Sequence, residues 1–178
     1  RLTDPDFTGH TELIAGICGQ THYTMMLASK ALTVTHVSTH VSMEQSIRNC
    51  KKERVLDVIE LTWNAISRFK ESPRIAVAGL NPHAGENGAF GRQEIEEIGP
   101  AVEEAKARGR QVYGPIPPDT VFLRAYKGEF DAVVCMYHDQ GHIPMKLLDF
   151  EGGVNVSLGL KVVRTSVDHG TAYDIAYQ

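Results

Sequence analysis

Short apolar runs, separated by longer segments of helical spacing, form the main pattern of this chain. Three of the runs are rich in valine, alanine and isoleucine and have the length of a buried strand: residues 31–37, "RIAVAGL" and "DAVVCMYH". "QVYGPIPPD" predicts a further short strand followed by a proline-rich loop. Near the end, "VNVSLGLKVVRTSV" alternates apolar and polar positions, which indicates a hairpin or two edge strands.

Two stretches between these runs have helical spacing. Residues 42–70 predict one long helix, or two helices with a break at Lys51–Lys52, and Ser42 is a candidate N-cap. A second helix is predicted from about Gln93, with Gly99–Pro100 as an interruption. Helices therefore alternate with the predicted strands.

This alternation of strands and helices is typical of βαβ units, in which a mostly parallel sheet is flanked by helices. A chain of 178 residues is long enough for one such domain with a substantial core, and it contains no internal repeat. We therefore expect an α/β fold with one domain over residues 1–178.

The composition excludes some classes of function. An apolar fraction of 42% and a charged fraction of 22% are those of an ordinary globular protein. A formal net charge of −4 argues against general nucleic-acid binding, although a local basic pocket can still receive a phosphorylated small molecule. The three cysteines are scattered, so we expect no disulfide framework and a cytoplasmic location. No apolar run is long enough to cross a bilayer.

Three histidines, His40, His83 and His138, each follow one of the predicted buried strands. In open α/β sheets, ligands bind in the crevice outside the carboxyl ends of the strands. Neutral imidazoles are good ligands for a divalent metal, and a site with three protein ligands keeps positions open for substrate. The alternative is that all three are solvated or hydrogen-bonded loop histidines, and the spacing alone does not decide between the two interpretations.

A local alternative pairs His138 with His142 as metal ligands four residues apart. That motif needs a helix, because only a helix puts such residues on one face. Gly141 and Pro144 make a helix improbable here, so we expect no helix over this segment.

Several other polar residues are candidates for binding an anion. Lys146, Asn155 and Arg164 carry groups suited to phosphate or carboxylate oxygens, but surface cations are common. The glycine-rich "NPHAGENGAFGRQEI" lets backbone approach a ligand, yet it matches neither a Walker A motif nor a GxGxxG fingerprint. His10, Thr11 and Asp119 lie in predicted loops, where either turn capping or substrate contact is open.

At these residues the chain resembles a known enzyme family. The motifs "TGHTE", "GLNPHAGENGAFG", "GPIPPDT", "MYHDQGHIPMK", "GVNVSLGL" and "RTSVDHGTA" occur in the order found in the 4-hydroxythreonine-4-phosphate dehydrogenase family and its close paralogues. The resemblance runs from about Thr8 to Ala176. Family members are longer, so the resemblance implies that this chain lacks an N-terminal region and a C-terminal end. It would be the metal-binding, substrate-binding and dimerisation part of a two-domain dehydrogenase.

The resemblance also implies a reaction and a fold. Members oxidise a phosphorylated hydroxy acid, 4-hydroxythreonine 4-phosphate, with NAD or NADP, and the resulting 3-oxo acid loses CO₂ in pyridoxal phosphate (vitamin B6) biosynthesis. Their fold is similar to that of isocitrate and isopropylmalate dehydrogenases. They are homodimers with a divalent metal (zinc, magnesium, manganese or cobalt) at the subunit interface.

Family roles carry over to matching positions of this chain. The implied metal ligands are His40, His83 and His138, the same three selected by strand position. The implied substrate contacts are His10, Thr11, Lys146, Asn155 and Arg164. The implied cofactor contacts are His169, Gly170, Thr171 and Asp174. Lys146 and Asp119 are the candidates for proton transfer, and the choice between them stays open.

Some positions depart from the family pattern. Lys161 replaces a usual proline, His142 occupies a position that is more often apolar, and "GICGQTHYTMM" is divergent. These departures leave an alternative open, a paralogue that acts on a related acid such as 4-phosphothreonate or 4-phosphoerythronate. Two other classes stay open: a non-catalytic metal- or phosphate-binding domain, and a metal-dependent hydrolase in which histidines activate water.

Overall fold

The computed structural model describes residues 9–167 of the chain. The strands in this range are β1 Thr24–Ala28, β2 Thr33–His36, β3 Ile75–Ala78, β4 Val112–Ile116, β5 Ala132–Cys135, β6 Val154–Leu158 and β7 Arg164–Val167. The α-helices are α1 His10–Ile17, α2 Met43–Asn49, α3 Lys52–Ile66, α4 Gly99–Ala107, α5 Pro118–Tyr126 and α6 His138–Asp149. Two shorter helical segments are a 3₁₀-type turn, Pro82–Gly88, and a π-helix, Glu94–Ile98, which runs directly into α4.

The strands form one seven-stranded sheet in the order β4-β3-β5-β2-β1-β6-β7. The four strands from β4 to β2 are parallel to one another, as expected for βαβ units. The other half is antiparallel, with β1 joining β2 to the β6–β7 hairpin. The α/β class is therefore confirmed, and the sheet is mixed.

The core lies on both faces of the parallel half of the sheet. Along β3 and β5 the side chains alternate between faces, as the two-residue period of a strand requires. Val77 and Val134 pack in the cluster that contains α3 and α4, whereas Ala76 and Val133 pack in the cluster that contains α5 and α6. These strands are buried on both faces, which explains why their sequences are continuously apolar.

Most of the predicted elements are present. The apolar runs predicted β2, β3 and β5, and the break between α2 and α3 falls at the predicted lysines. Ser42 caps α2, because its Oγ accepts a hydrogen bond from the backbone N–H of Gln45 at 3.1 Å. The strand β1 was not predicted, because its methionines lack the β-branched pattern used to recognise strands.

The expectation of no helix around His138 is wrong, because α6 contains both Gly141 and Pro144. Tertiary packing outweighs the low helix propensity of these two residues. A Cβ atom at Gly141 would lie 2.5 Å from Nε2 of His36, so glycine lets α6 approach β2 closely. Met145 of the same helix is fully buried in the core. Likewise, α5 begins inside the predicted proline-rich loop, where Pro118 suits a first helical turn.

Two expectations drawn from the sequence concern disulfide bonds and membrane-spanning segments. Cys18, Cys50 and Cys135 all lie within the described range and none forms a disulfide, as expected. Among residues 9–167, no helix combines the length and the apolar character needed to span a bilayer.

We predict that Gly141→Ala destabilises the protein by about 1–3 kcal/mol, because the added methyl overpacks the contact between α6 and β2. Gly16→Ala is the matched control, since a Cβ there meets nothing within 4 Å. The control should be neutral or slightly stabilising, by at most about 1 kcal/mol. Urea unfolding of the full-length protein measures both, and equal midpoints for the two variants would contradict the prediction.

Candidate functional site

The parallel strands β3, β5 and β2 are neighbours, so their carboxyl ends lie along one edge of the sheet. His83, His138 and His40 follow these three strands, as the sequence predicts. The structure brings two of them together, since the ring centroids of His40 and His138 are 5.7 Å apart. This histidine pair is the centre of the candidate site.

His40 is oriented by Glu12, a residue of α1. Oε1 of Glu12 lies 3.3 Å from Nδ1 of His40 and accepts a second hydrogen bond, at 3.1 Å, from the hydroxyl of Thr39. Because a carboxylate only accepts, Nδ1 of His40 carries the proton and donates it. This hydrogen bond raises the pKa of His40, and the same contact lowers the pKa of Glu12.

His138 has a similar partner in Asp139, whose Oδ1 accepts a hydrogen bond from Nδ1 of His138 at 2.7 Å. In both His40 and His138, Nδ1 is engaged by a carboxylate. Histidine ligands of metals commonly donate their second ring N–H to a carboxylate in this way, which fixes the tautomer and ring orientation. In the neutral form of such a ring, Nε2 is the nitrogen available to a metal. Two imidazoles held in this way are suitable donors to a divalent metal.

Two further histidines surround this pair. The sequence raised His142 only as an alternative partner of His138, and His36 was not predicted to belong to the site. His142 stacks on His138 with ring centroids 3.6 Å apart, and its Nδ1–H donates to the backbone oxygen of His138 at 2.9 Å. His36 lies 4.8 Å from His142, again between ring centroids. Burial lowers the pKa of His142 to about 4 and that of His36 to about 3, so both rings are neutral at physiological pH.

His36 has a packing role in this group of histidines. Its Nδ1–H donates to the backbone oxygen of Met25 at 3.2 Å, and its Nε2 has no hydrogen-bond partner among the described residues. The ring lies against the backbone of Gly141. It therefore fixes the distance between β2 and the helix that carries His138 and His142.

His83 lies in a turn with an unusual backbone. His83, Ala84, Glu86 and Asn87 all have φ between 43° and 53°, and Gly85 between them has φ 80°. Such a left-handed run costs roughly 1–2 kcal/mol for each residue other than glycine. The imidazole of His83 is exposed and lies 6.0 Å from the ring of Phe90. Strain of this kind is concentrated at functional sites.

Within residues 9–167 of a single chain, no three histidine, cysteine, aspartate or glutamate side chains form a group that could hold a metal ion. The described part of one chain thus presents the pair His40 and His138, with His83 on a separate turn beyond the same edge of the sheet. The three-histidine metal site stays a prediction.

Two cavities flank His40. One, of about 310 Å³, is lined by Thr11, Glu12 and His40 among other residues. The other, of about 300 Å³, is lined by His40, Tyr137 and His138 among others. Because both share His40, the histidine pair and the predicted substrate contact Thr11 lie along one continuous region of the surface.

Two of the predicted anion-binding residues meet on the antiparallel side of the sheet. Arg164 of β7 donates a hydrogen bond to Oγ1 of Thr11 at 3.1 Å, and the same hydroxyl lies 3.3 Å from that of Ser157. Asn155 of β6 has a buried side-chain oxygen with no partner among the described residues. The guanidinium and the hydroxyl can donate to phosphate or carboxylate oxygens, whereas the open oxygen of Asn155 can only accept a hydrogen bond.

The other predicted residues are more dispersed. Lys146 is on α6, with Nζ 5.7 Å from the ring centroid of Phe150. Asp119 is exposed in the first turn of α5, and His10 is the exposed first residue of α1. The predicted cofactor contacts lie outside the described residues, and they are His169, Gly170, Thr171 and Asp174.

Sequence reasoning missed Glu12, Asp139 and His36. Glu12 and Asp139 each adjoin a predicted residue in a motif, in "TGHTE" and "YHDQG", and a carboxylate next to a candidate ligand is the signal that was available. His36 offers no such signal, because it lies within a strand pattern and only the packing of α6 brings it to the site.

Comparison with known proteins finds one matching family model and relatives that are named as dehydrogenases. The family model described as "Pyridoxal phosphate biosynthetic protein PdxA" matches residues 1–178. D-threonate 4-phosphate dehydrogenase of Pectobacterium atrosepticum is 54% identical over 96% of this chain and 53% of its own length. 4-Hydroxythreonine-4-phosphate dehydrogenase of Desulfosudis oleivorans is 53% identical over 99% of this chain and 53% of its own length. The chain thus spans about half the length of the curated relatives it matches.

A solved structure also matches. The crystal structure of 4-hydroxythreonine-4-phosphate dehydrogenase from Klebsiella pneumoniae aligns with a TM-score of 0.87 and 50% sequence identity. The alignment covers 98% of this chain and 53% of the solved chain. The fold described above is therefore similar to one half of that enzyme.

We predict that Glu12→Gln lowers the pKa of His40 towards the ordinary value of about 6.5, because the neutral amide no longer favours the imidazolium. In the parent, the charge of His40 persists to higher pH and is lost as pH rises through the raised pKa. NMR titration of the ring protons in metal-free protein measures this change. Glu44→Gln, which removes an exposed carboxylate paired with Arg48, is the control. An unchanged His40 titration in Glu12→Gln would contradict the prediction.

Proposed function

The chain belongs to the family of the pyridoxal phosphate biosynthetic protein PdxA, and we propose that the full-length protein is a dehydrogenase of a four-carbon hydroxy acid phosphorylated at C4. The observation that carries this proposal is the pair His40 and His138, each with a carboxylate on Nδ1, beside the Thr11–Arg164 contact. A cation site next to an anion site suits a substrate with a hydroxy acid at one end and a phosphate at the other.

The metal end of the site would be held by the Nε2 atoms of His40 and His138, with His83 as the third ligand. We propose that the site is completed in a homodimer, so that one subunit supplies a ligand to the other. A divalent ion such as zinc, magnesium, manganese or cobalt would polarise the substrate hydroxyl and stabilise the negative charge that develops during reaction. Glu12 and Asp139 would hold the two imidazoles in the tautomer that leaves Nε2 free to bind.

The phosphate end would be bound by Arg164, which already has a hydrogen bond to Thr11. Asn155 would contact the substrate through its buried side-chain oxygen, which can accept a hydrogen bond from a substrate hydroxyl. His10 and Lys146 complete the proposed substrate contacts. These groups fix the position of the substrate, so that the reacting carbon is held in one orientation.

The proposed reaction has two steps. A base, Lys146 or Asp119, accepts the proton of the C3 hydroxyl while the hydrogen on C3 leaves as hydride to NAD or NADP, which gives a 3-oxo acid. The bond between C2 and the carboxyl carbon then breaks, CO₂ departs, and C2 is protonated. The cofactor would be held by the segment that contains His169, Gly170, Thr171 and Asp174.

The proposed substrate is D-threonate 4-phosphate or 4-hydroxythreonine 4-phosphate, because relatives of about 50% identity have one name or the other. D-threonate 4-phosphate should be tested first, since the relative at 54% identity has that name. We propose further that residues 1–178 are the metal- and substrate-binding part of a longer two-domain protein that works in the cytoplasm.

The test is an assay of the full-length protein for reduction of NAD and of NADP with each substrate, before and after removal of metal by a chelator. The proposal predicts turnover that requires both a nicotinamide cofactor and a divalent ion. Release of phosphate without any nicotinamide would support a hydrolase instead. Metal binding with no turnover of either substrate would support a binding domain.

We predict that His83→Ala loses bound metal and activity together, because one of three neutral donors is removed. The loss of metal affinity should exceed the roughly 100-fold that follows removal of an outer hydrogen-bond partner. His22→Ala is the control, since His22 is exposed and pairs with Asp57 instead. The metal content of each variant is measured after dialysis. Full retention of metal by His83→Ala would show that His83 is not a ligand.

We predict that Arg164→Ala raises KM for the phosphorylated substrate by about 10- to 100-fold, the effect of losing a charged hydrogen bond. Metal affinity should stay unchanged. Lys127→Ala removes an exposed cation at the C-terminal end of α5 and should leave KM unchanged. Equal KM values for Arg164→Ala and the parent would exclude Arg164 from the phosphate site.

A further inference from the structure

Glu94 is a buried carboxylate beneath the left-handed turn, His83–Asn87. It is only 3% exposed, at the first position of the π-helix. No ion pair of Glu94 occurs among the described residues, although buried charges in proteins are usually paired with an opposite charge. Its position therefore calls for an explanation in terms of the groups that it does contact.

Those groups belong to the chain that enters the left-handed turn. Oε1 of Glu94 accepts hydrogen bonds from the backbone N–H groups of Leu80 and Asn81, both at 2.7 Å. Oε2 accepts a third from the side-chain amide of Asn81 at 2.9 Å. The backbone oxygen of Asn81 in turn accepts from the N–H of Ala84 at 3.1 Å. A continuous set of hydrogen bonds thus connects Glu94 with the second residue of the turn.

The turn is also packed closely against Glu94. A Cβ atom at Gly85 would lie 2.7 Å from Oε2 of Glu94, and one at Gly79 would lie 2.9 Å from Cα of Ala84. Only hydrogen atoms fit at these two positions. The backbone of the turn therefore packs directly against the carboxylate of Glu94.

The turn itself gains little from burial. His83, Glu86 and Asn87 are exposed, and only Gly85 of the turn is buried. Its left-handed conformation must therefore be stabilised from outside, and the hydrogen bonds to Glu94 supply that stabilisation. The side chains of the turn are mostly exposed to solvent, and the imidazole of His83 is one of them.

We propose that Glu94 is a positioning residue, which holds the left-handed turn in place before metal binds so that His83 is already oriented as a ligand. This inference rests on the proposed function, in which His83 binds the ion. Without Glu94 the turn would relax towards right-handed or extended conformations. Metal would then bind less tightly, because part of the binding free energy would be offset by the cost of ordering His83.

The test is Glu94→Gln in the full-length protein. Glutamine keeps the size but replaces one acceptor oxygen with an amide that donates, which is opposed to the donating amide of Asn81. We expect two changes: faster hydrogen exchange of the amides of residues 83–88 in the metal-free protein, and an increase of about 10- to 100-fold in the Kd for Co²⁺. The absorption spectrum of the Co²⁺ protein reports whether the ligands remain the same at saturation.

Glu96→Gln is the matched control. Glu96 lies on the same π-helix, is exposed and pairs with Arg92, so its loss removes the same charge without touching the turn. The control should show parent values for both exchange and Co²⁺ affinity. An unchanged Co²⁺ Kd in Glu94→Gln would overturn the inference even if exchange becomes faster, as would an equal effect of Glu96→Gln.

A rescue variant separates positioning from general damage to the fold. Ala84→Gly lowers the cost of the left-handed backbone without changing charge, so adding it to Glu94→Gln should restore part of the Co²⁺ affinity. If Glu94→Gln does not fold, Asn81→Ala replaces it; this variant removes the side-chain hydrogen bonds of Asn81 to Glu94 and Gln93 but keeps the two backbone hydrogen bonds to Glu94, so it should give a smaller increase in Kd. Absence of any rescue, or an unchanged Kd in the replacement, would contradict the inference. His83→Ala tests the proposed function separately, because its result does not depend on Glu94.

Discussion

The structure depends on one constraint, the parallel adjacency of β3, β5 and β2. β3 and β5 are buried on both faces, so their sequences consist of apolar residues and the polar residues begin after the strands end. Because parallel strands end at the same edge, the loops that follow them are brought together without any direct interaction between them. His40 and His138 lie 5.7 Å apart for this reason.

A second contact couples this arrangement to the chemistry of the candidate site. α6 packs so closely on β2 that the ring of His36 occupies the space of a side chain at position 141. The same helix carries His138 in its first turn and stacks His142 on it. The core and the candidate site therefore share residues, and a change in the packing of α6 alters the orientation of His138.

The parts that were predicted from sequence are those that follow from local pattern. Apolar runs predicted the buried strands, and the polar residue after each run predicted the histidines at the sheet edge. The parts that were missed depend on contacts distant in sequence. Gly141 and Pro144 argue against a helix until packing on β2 is included, and Glu12 becomes the partner of His40 only through the position of α1. The left-handed conformation of the turn was not predicted, because it depends on Glu94, which follows it along the chain.

The central claim is that Nε2 of His40 and Nε2 of His138 bind one divalent ion. The most direct measurement is anomalous diffraction from crystals of the full-length protein grown with Zn²⁺. The account predicts a single strong peak at about 2.0–2.1 Å from both Nε2 atoms, with an imidazole of His83 as the next ligand. Zn²⁺ bound elsewhere, with these two nitrogens pointing away from any metal, would contradict it.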